Sequence, residues 1–380
     1  MSLQHYLQLS LTAGLGPVLI RRLIEHAGSP ENACNLKSSD LRLIEGIGQA
    51  KAHSIHQSLQ AASSDAALHL QKAHDLGVRI LPLDDPEYPP LLKAIQDPPA
   101  VLFMLGSLQP RDLNAIAIVG SRRCSYYGRE QAERFAALLA SAGFTVVSGG
   151  ARGIDSAAHR GSFQHPQGRT IAIFGSGLDI TYPPENEPLF KQIAQRGAIL
   201  SEFPFGTPPS PENFPRRNRV VSGLSRGVFV IEADIRSGAL ITARLANEDH
   251  GRPVFALPGR VDNPTSAGTH QLIRDGAILV TCLDDLLAGL HPFPDSVREP
   301  SLFPPPDPAS SAPPPQSIPL PLTDRQRLIL QHLDQSPTSV DQLIDRTNLD
   351  ASAILQDLTF LSLKALIKRT DGQTYARSQP

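Results

Sequence analysis

The stretch Asn114–Phe163, NAIAIVGSRRCSYYGREQAERFAALLASAGFTVVSGGARGIDSAAHRGSF, decides the fold. Two short apolar runs, AIAIVGS and TVVSGG, each end in a glycine turn and lead into a helical stretch, YGREQAERFAALLASAG and IDSAAHRGSF. Neither run alternates apolar with polar residues, the pattern of strands whose two faces are both covered by helices. The alternation continues through TIAIFGSG, AILSEF, GVFVIEA, PVFALPG and AILVT, with ENEPLFKQIAQRG, PRRNRVVSGLSR and ALITARLANEDHG among the intervening helices. Strand and helix in succession predict an α/β domain over residues 71–290, built on a doubly wound parallel sheet.

Outward from this domain the composition changes. Twelve of the 31 residues at 291–321 are proline, which favours an extended, semi-rigid linker and no core. Beyond it, residues 322–380 read as helices followed by a hairpin, with Asp371-Gly372 as the turn signal, and together predict a winged-helix domain. Its expected recognition helix, residues 350–365, carries Asp350 and Asp357 against Lys364, so duplex DNA and a protein are equally good ligands for it. Residues 1–70 read as a small helical module with two similar turns, GLGP and GIGQ. Such turns present backbone N–H groups to phosphate, but five cations against four acids over residues 1–60 favour a module that only packs.

The 380 residues carry 35 Lys+Arg and 37 Asp+Glu, a net charge of −2, which excludes a chain coated in cation but not a local basic groove. Only seven of the cations are lysines. Arginine suits planar, bidentate contact with phosphate, although a GC-rich gene produces the same bias. Three scattered cysteines form neither a disulfide framework nor a zinc site and fit a reducing compartment. The N-terminus lacks a signal peptide's pattern and no run of eighteen apolar residues occurs, so a soluble, cytoplasmic protein without membrane contact is expected.

Ligands of open parallel sheets bind at the carboxyl ends of the strands. There the chain places Gly120, Ser121 and Arg122, then Gly149, Gly150 and Arg152, then Gly175, Gly177 and Tyr182. Glycines admit an anion close to backbone N–H groups, and arginines add charge. NFPRRNR (Asn213–Arg219) opens a predicted helix with Pro215 in its first turn, so Asn213, Arg216, Arg217, Asn218 and Arg219 fall beside the strand ends. Cations at a helix N-terminus oppose its dipole, which argues for an anion nearby. One of the three arginines is expected to pair internally, with Glu202, Glu212 or Glu232, and the others to meet ligand. Ser237 and Gly238 start a further helix and complete the rim.

Other chemistry finds little support. GSRRCS and GSGLDI both fail the dinucleotide fingerprint G-x-G-x-x-G, and no P-loop occurs. GLSRG has the spacing of a nucleophile elbow, but Ser225 follows a helix and precedes a strand, the reverse of that motif. Asp155 and His159 sit four residues apart, most simply as a helix cap and a packed histidine. No catalytic residue, metal site or cofactor is expected.

VGSRRCSYYG, SGGARGIDSAAH, GSGLDITYPPEN, SEFPFG, NFPRRNR, SGALITA, FALPG and GTHQLIRDGA follow one another in the order seen in the DprA/Smf family, which residues 80–285 resemble. The resemblance implies an extended Rossmann-like domain, with a SAM or helix-hairpin-helix-like module and a winged helix as accessories. It implies a non-enzymatic, homodimeric protein that binds single-stranded DNA and loads the RecA recombinase during natural transformation. By that resemblance Ser121 and Arg122 contact phosphate and Asn213–Arg219 belong to the same pocket. Some members carry a basic residue where this chain has Pro184, so the expectation is either compensation by Lys191 or Arg217 or a lower affinity. Tyr182 and Phe214 are placed to stack on unpaired bases, with core packing as the competing reading, favoured for Phe214. Charge reversal at Arg122 and Arg217 together is expected to remove binding and leave the fold intact. A Rossmann-like phosphoribohydrolase acting on nucleoside monophosphates is the rival reading, although RSGALITARLANE lacks that enzyme family's paired glycines.

Overall fold

The computed structural model describes residues 2–290 and, further on, 323–333, 338–347, 349–350, 354, 357–358, 361, 367–371 and 374–377. Its first five helices are α1 (Ser2–Leu11), α2 (Pro17–Ala27), α3 (Pro30–Cys34), α4 (Ser38–Leu41) and α5 (Gln49–Asp75). The turns GLG and GIG precede α2 and α5. Along α5 the buried residues Ala52, Ile55, Leu59, Ala62 and Ala66 recur every three or four positions, which makes one inward stripe. The stripe shares a core with Leu7 and Leu9 of α1 and with Ile80, Val101, Phe103 and Phe205. Helical module and sheet are therefore joined by a common apolar interior.

Nine strands make one sheet: β1 (Arg79–Pro82), β2 (Val101–Gly106), β3 (Ala115–Val119), β4 (Thr145–Ser148), β5 (Arg169–Ile173), β6 (Ala198–Ser201), β7 (Val228–Val230), β8 (Val254–Ala256) and β9 (Ile278–Leu279). Their order is β1-β2-β6-β5-β4-β3-β7-β8-β9. The seven strands β3 to β9 run parallel and correspond to the seven apolar runs of the sequence. Beyond them β2 lies antiparallel to β6, and β1 antiparallel to β2, an extension that the strand–helix alternation does not predict. Only α6 (Pro90–Lys93), a single turn, separates those two strands, so no long helix marks them off in the sequence.

Successive side chains of β3 enter different cores, as the pleat requires. Ala115, Ala117 and Val119 meet Val220, Val221, Ala239 and Ala243, which belong to α10 (Asn213–Gly223) and α11 (Gly238–Arg244). Ile116 and Ile118 meet Phe135 of α7 (Tyr126–Ser141) and Ile154 and Ala157 of α8 (Ile154–Ser162). There Phe135 packs edge-on against Phe229 with ring centroids 5.1 Å apart. The remaining helices of the layer are α9 (Glu187–Arg196), α12 (Ala267–Arg274) and α13 (Leu283–Ala288). From β3 the chain winds through β4 and β5 to β6, then crosses back to lay β7 on the other side of β3. Ala117 is opposite both a β4 and a β7 residue, Val147 and Val228. Crossovers part at the carboxyl ends of β3 and β7, which opens a crevice between them.

Contacts divide the chain into two units, Met1–Ser301 and Leu302–Pro380. The second contains α14 (Asp324–Gln331), β10 (Thr338–Ser339), α15 (Val340–Thr347) and the antiparallel pair β11 (Ile367–Asp371) and β12 (Thr374–Arg377), ordered β10-β12-β11. The hairpin falls where Asp371-Gly372 signals a turn, while residues 372–373 and most of the expected recognition helix lie outside the described residues. Asp357 is described, and it faces inward: it pairs with Arg325 and accepts a hydrogen bond from Gln326 at 3.0 Å. Its charge is neutralised inside the unit and does not oppose DNA, as a count of charges along the helix suggests.

Candidate nucleic-acid interface

A cleft of about 600 Å³ occupies the crevice between β3 and β7. Its floor is the first turn, Gly120–Arg123, whose backbone is anchored on both sides. Ser121 N–H donates to the Glu232 carbonyl at 2.8 Å, and Ser121 C=O accepts from Ile154 N–H at 3.2 Å. A Cβ at Gly120 would lie 2.6 Å from Ile154 Cγ1 and 2.8 Å from the Glu232 oxygen, so only glycine lets strand and helix close this tightly. The turn ends at Ser125, which caps α7 by accepting from Gly128 N–H at 3.0 Å. Ser125 is itself gripped by the buried Glu232 carboxylate, through its N–H at 2.8 Å and its hydroxyl at 2.5 Å. The sequence suggests Glu232 only as a partner for arginine. It instead brings a carboxylate to the N-terminus of α7, where the helix dipole favours negative charge.

Arg122, Arg123 and Arg236 line the cleft and form no ion pair among the described residues. Arg122 instead lies over the ring of Phe214, 4.5 Å from its centroid. Phe214 is half-buried and lines the cleft, so it faces the crevice and is not part of the core. Its ring also meets that of Tyr182 at 5.8 Å, and Tyr182 has the Arg152 guanidinium above it at 5.9 Å. The result is a row, Arg152–Tyr182–Phe214–Arg122, that runs from the second and third glycine turns, by way of α10, to the first. Arg152 is also paired with exposed Glu185, Nη2 to Oε2 at 3.0 Å.

The NFPRRNR segment divides its arginines differently from the expected one in three. Arg216 is exposed and stands 5.5 Å from the Phe203 ring centroid. Arg217 is 4 % exposed and donates from Nη1 to the carbonyls of Gly149 and Ile173. A Cβ on Gly149 would collide with that guanidinium. Burial pulls the Arg217 pKa down to about 10, which leaves it charged at neutral pH, and the nearby Asp155 favours that charge. Its Nε is buried and unpartnered, at the wall of the cleft. Arg219 turns the other way, with Nη2 on Glu202 Oε2 at 2.5 Å and Nε on Asp97 at 3.1 Å. Two of the three arginines are thus internal. A glutamate at Arg217 would bury a carboxylate against two carbonyl oxygens, so reversing that charge cannot leave the fold intact as expected.

Gly175 lies under Phe214, where a Cβ would stand 2.9 Å from Cδ1 of the ring, and Gly177 abuts Asp179. Gly150 sits against the ring of Phe190. Asn213 donates to Pro208 C=O and Asn218 to Gly238 C=O, both at 3.2 Å, the latter tying α10 to the start of α11. Ser237 caps α11, accepting from Ala239 N–H at 3.3 Å, and both Ser237 and Gly238 line the cleft. Lys191 does not: it lies exposed on α9, paired with Glu187 at 2.8 Å. With Arg217 held by carbonyls, neither expected substitute stands free near Pro184. His159 is fully buried, bonded through Nδ1 to Thr170 Oγ1 at 2.7 Å, while Asp155 accepts from Ala151 N–H at 3.2 Å. They form no acid–base pair. Ser225 is buried and donates to Val221 C=O.

The family model described as DNA recombination-mediator protein A matches residues 79–291, and one described as the DprA winged helix domain matches residues 307–373. Protein Smf of Synechocystis sp. is 36% identical over 98% of both chains. DNA processing protein DprA of Streptococcus pneumoniae is 44% identical over 58% of this chain and 77% of its own. The X-ray structure of the S. pneumoniae protein matches with TM-score 0.68 and 35% identity, covering 77% of this chain and 100% of that one. DNA processing protein A from Helicobacter pylori, whose structure concerns its single-stranded DNA binding mode, matches at TM-score 0.50 and 33% identity over 56% of this chain and 97% of that one. With more than half its length matched by one family model and 36% identity to a Smf protein over 98% of both chains, the chain belongs to the DNA recombination-mediator protein A family, the DprA/Smf proteins.

Proposed function

We propose that this chain binds single-stranded DNA in the β3/β7 cleft, protects the incoming strand and delivers it to a RecA recombinase during natural transformation, acting in the cytoplasm as a homodimer and without a catalytic step. The observation that carries the DNA-binding reading is the pair of neighbouring rings, Tyr182 and Phe214, with a guanidinium group over each. Unpaired bases stack on aromatic faces whatever their sequence, and guanidinium groups answer the phosphates between them. Arg122, Arg123 and Arg236 supply free charge, Phe214 and Tyr182 the stacking faces, and Ser121, Asn218, Ser237 and Gly238 the polar rim. Gly120, Gly149 and Arg217 line the walls and Gly175 packs under Phe214, while Gly150, Gly177 and Asn213 stand outside the cleft lining, Arg152 and Arg216 flank it, and Arg219 and Lys191 are assigned elsewhere. The family's recombination-mediator description and the H. pylori relative's single-strand binding support this reading.

The test is binding of a labelled poly-dT oligonucleotide and of the matching duplex across a salt series. Single-strand preference with a steep salt slope is expected. Arg122→Glu with Arg123→Glu is expected to flatten that slope by about 0.7 for each phosphate that no longer meets a cation. Equal affinity for duplex, or a slope indifferent to both substitutions, would overturn the assignment. Release of base from nucleoside monophosphates would favour the phosphoribohydrolase reading instead.

A further inference from the structure

Among the described tyrosines and phenylalanines only two stand mostly or half in solvent, Tyr126 at 80% and Tyr127 at 45% exposure. They are the first two residues of α7, directly after the turn that carries Arg122 and Arg123. Being adjacent on a helix, they point about 100° apart and present two separate faces. Their backbone is held firmly, because Ser125 caps the helix and Glu232 holds Ser125. A ring on a rigid base loses little freedom when something stacks on it.

The surroundings select the occupant. Arg122 and Arg123 precede the pair and Arg129 follows it, all three exposed and in no ion pair among the described residues. Exposed rings set among exposed guanidinium groups, Arg129 at the Cys124 thiol, Arg122 on Phe214 and Arg123 in no ion pair among the described residues, suit bases and phosphates better than an apolar protein surface. The place is also continuous with the cleft, since the same turn supplies Arg122 to Phe214 and leads into Tyr126. We propose that Tyr126, with Tyr127 beside it, is a second stacking platform on which the single strand continues outside the cleft, Arg123 holding the phosphate between. This rests on the single-strand reading above.

The chain contains no tryptophan, so Tyr126→Trp introduces a sole indole reporter at an exposed position that folding does not depend on. In the full chain, titration with poly-dT is expected to quench that emission, saturating where anisotropy of the labelled oligonucleotide saturates. Tyr126→Ala with Tyr127→Ala is expected to weaken binding about tenfold, the worth of roughly one stacked base. The salt slope is expected to stay unchanged, because every phosphate keeps its cation. Unaltered indole emission with oligonucleotide bound, or wild-type affinity in the double alanine variant, would overturn the platform and assign these rings to a protein partner. Failure of the unsubstituted chain to bind poly-dT at all would overturn the parent reading, and the platform with it.

Discussion

Burial acts on two residues of the α/β domain in opposite service. Arg217 keeps its proton in spite of burial, because Asp155 and two carbonyl oxygens face it. His159 gives its proton up: desolvation, with Arg160 and Arg217 adding to it, pulls the imidazole down to about 3. In the unfolded chain a histidine takes a proton near pH 6.5, by its ordinary pKa of roughly that value. The folded state therefore binds fewer protons, and the contribution of His159 to stability is whole above pH about 6.5 and declines as pH falls toward 3. The slope is about 1.4 kcal/mol per pH unit over the middle of that window. His159→Gln, which keeps a hydrogen-bonding group near Thr170, is expected to lessen the acid sensitivity of urea unfolding between about pH 6 and 4. Parallel curves for variant and wild type across that range would show that the buried imidazole is not what acid attacks.

At the scale of an element, α10 carries an exposed and a buried arginine three positions apart, Arg216 and Arg219. Arg219→Met leaves Glu202 buried without its partner and is expected to destabilise by about 3–5 kcal/mol. Arg216→Ala removes an exposed cation and is expected to change stability by less than about 0.5 kcal/mol while weakening oligonucleotide binding. Urea melts and a salt series on both variants separate the two roles, and equal destabilisation would refute the division. The helix itself is legible in the sequence, as are the seven parallel strands, because continuous apolar runs between glycine turns admit few other structures. The facing of its arginines is not. Arg217 is held by carbonyls 44 and 68 residues away, and no local pattern announces a backbone acceptor. Phe214 is ambiguous for a related reason: an aromatic beside prolines has the same appearance whether it fills a core or walls a cleft. The antiparallel strands β1 and β2 stay hidden because β1 is a four-residue run ending in proline and only a single helical turn separates it from β2.

For the molecule as a whole, charge is unevenly used. The cleft and its free arginines all belong to the first unit, whereas residues 321–380 carry equal numbers of cations and acids. A chain ending at residue 290 is therefore expected to bind poly-dT with the affinity and salt slope of the full protein. A shallower slope in the truncated chain would place phosphate contacts in the winged-helix unit. No described helix is long and apolar enough to cross a membrane.

One buried side chain also bears on what the protein ignores. In nucleotide-binding sheets of this topology, the helix after the first strand receives a pyrophosphate at its amino end. Here Glu232 already stands there, bonded to Ser125. A dinucleotide or nucleoside diphosphate arriving at that end would meet a fixed negative charge in place of open donors. The chain's own side group thus occupies the place where a pyrophosphate would meet the helix's N–H groups.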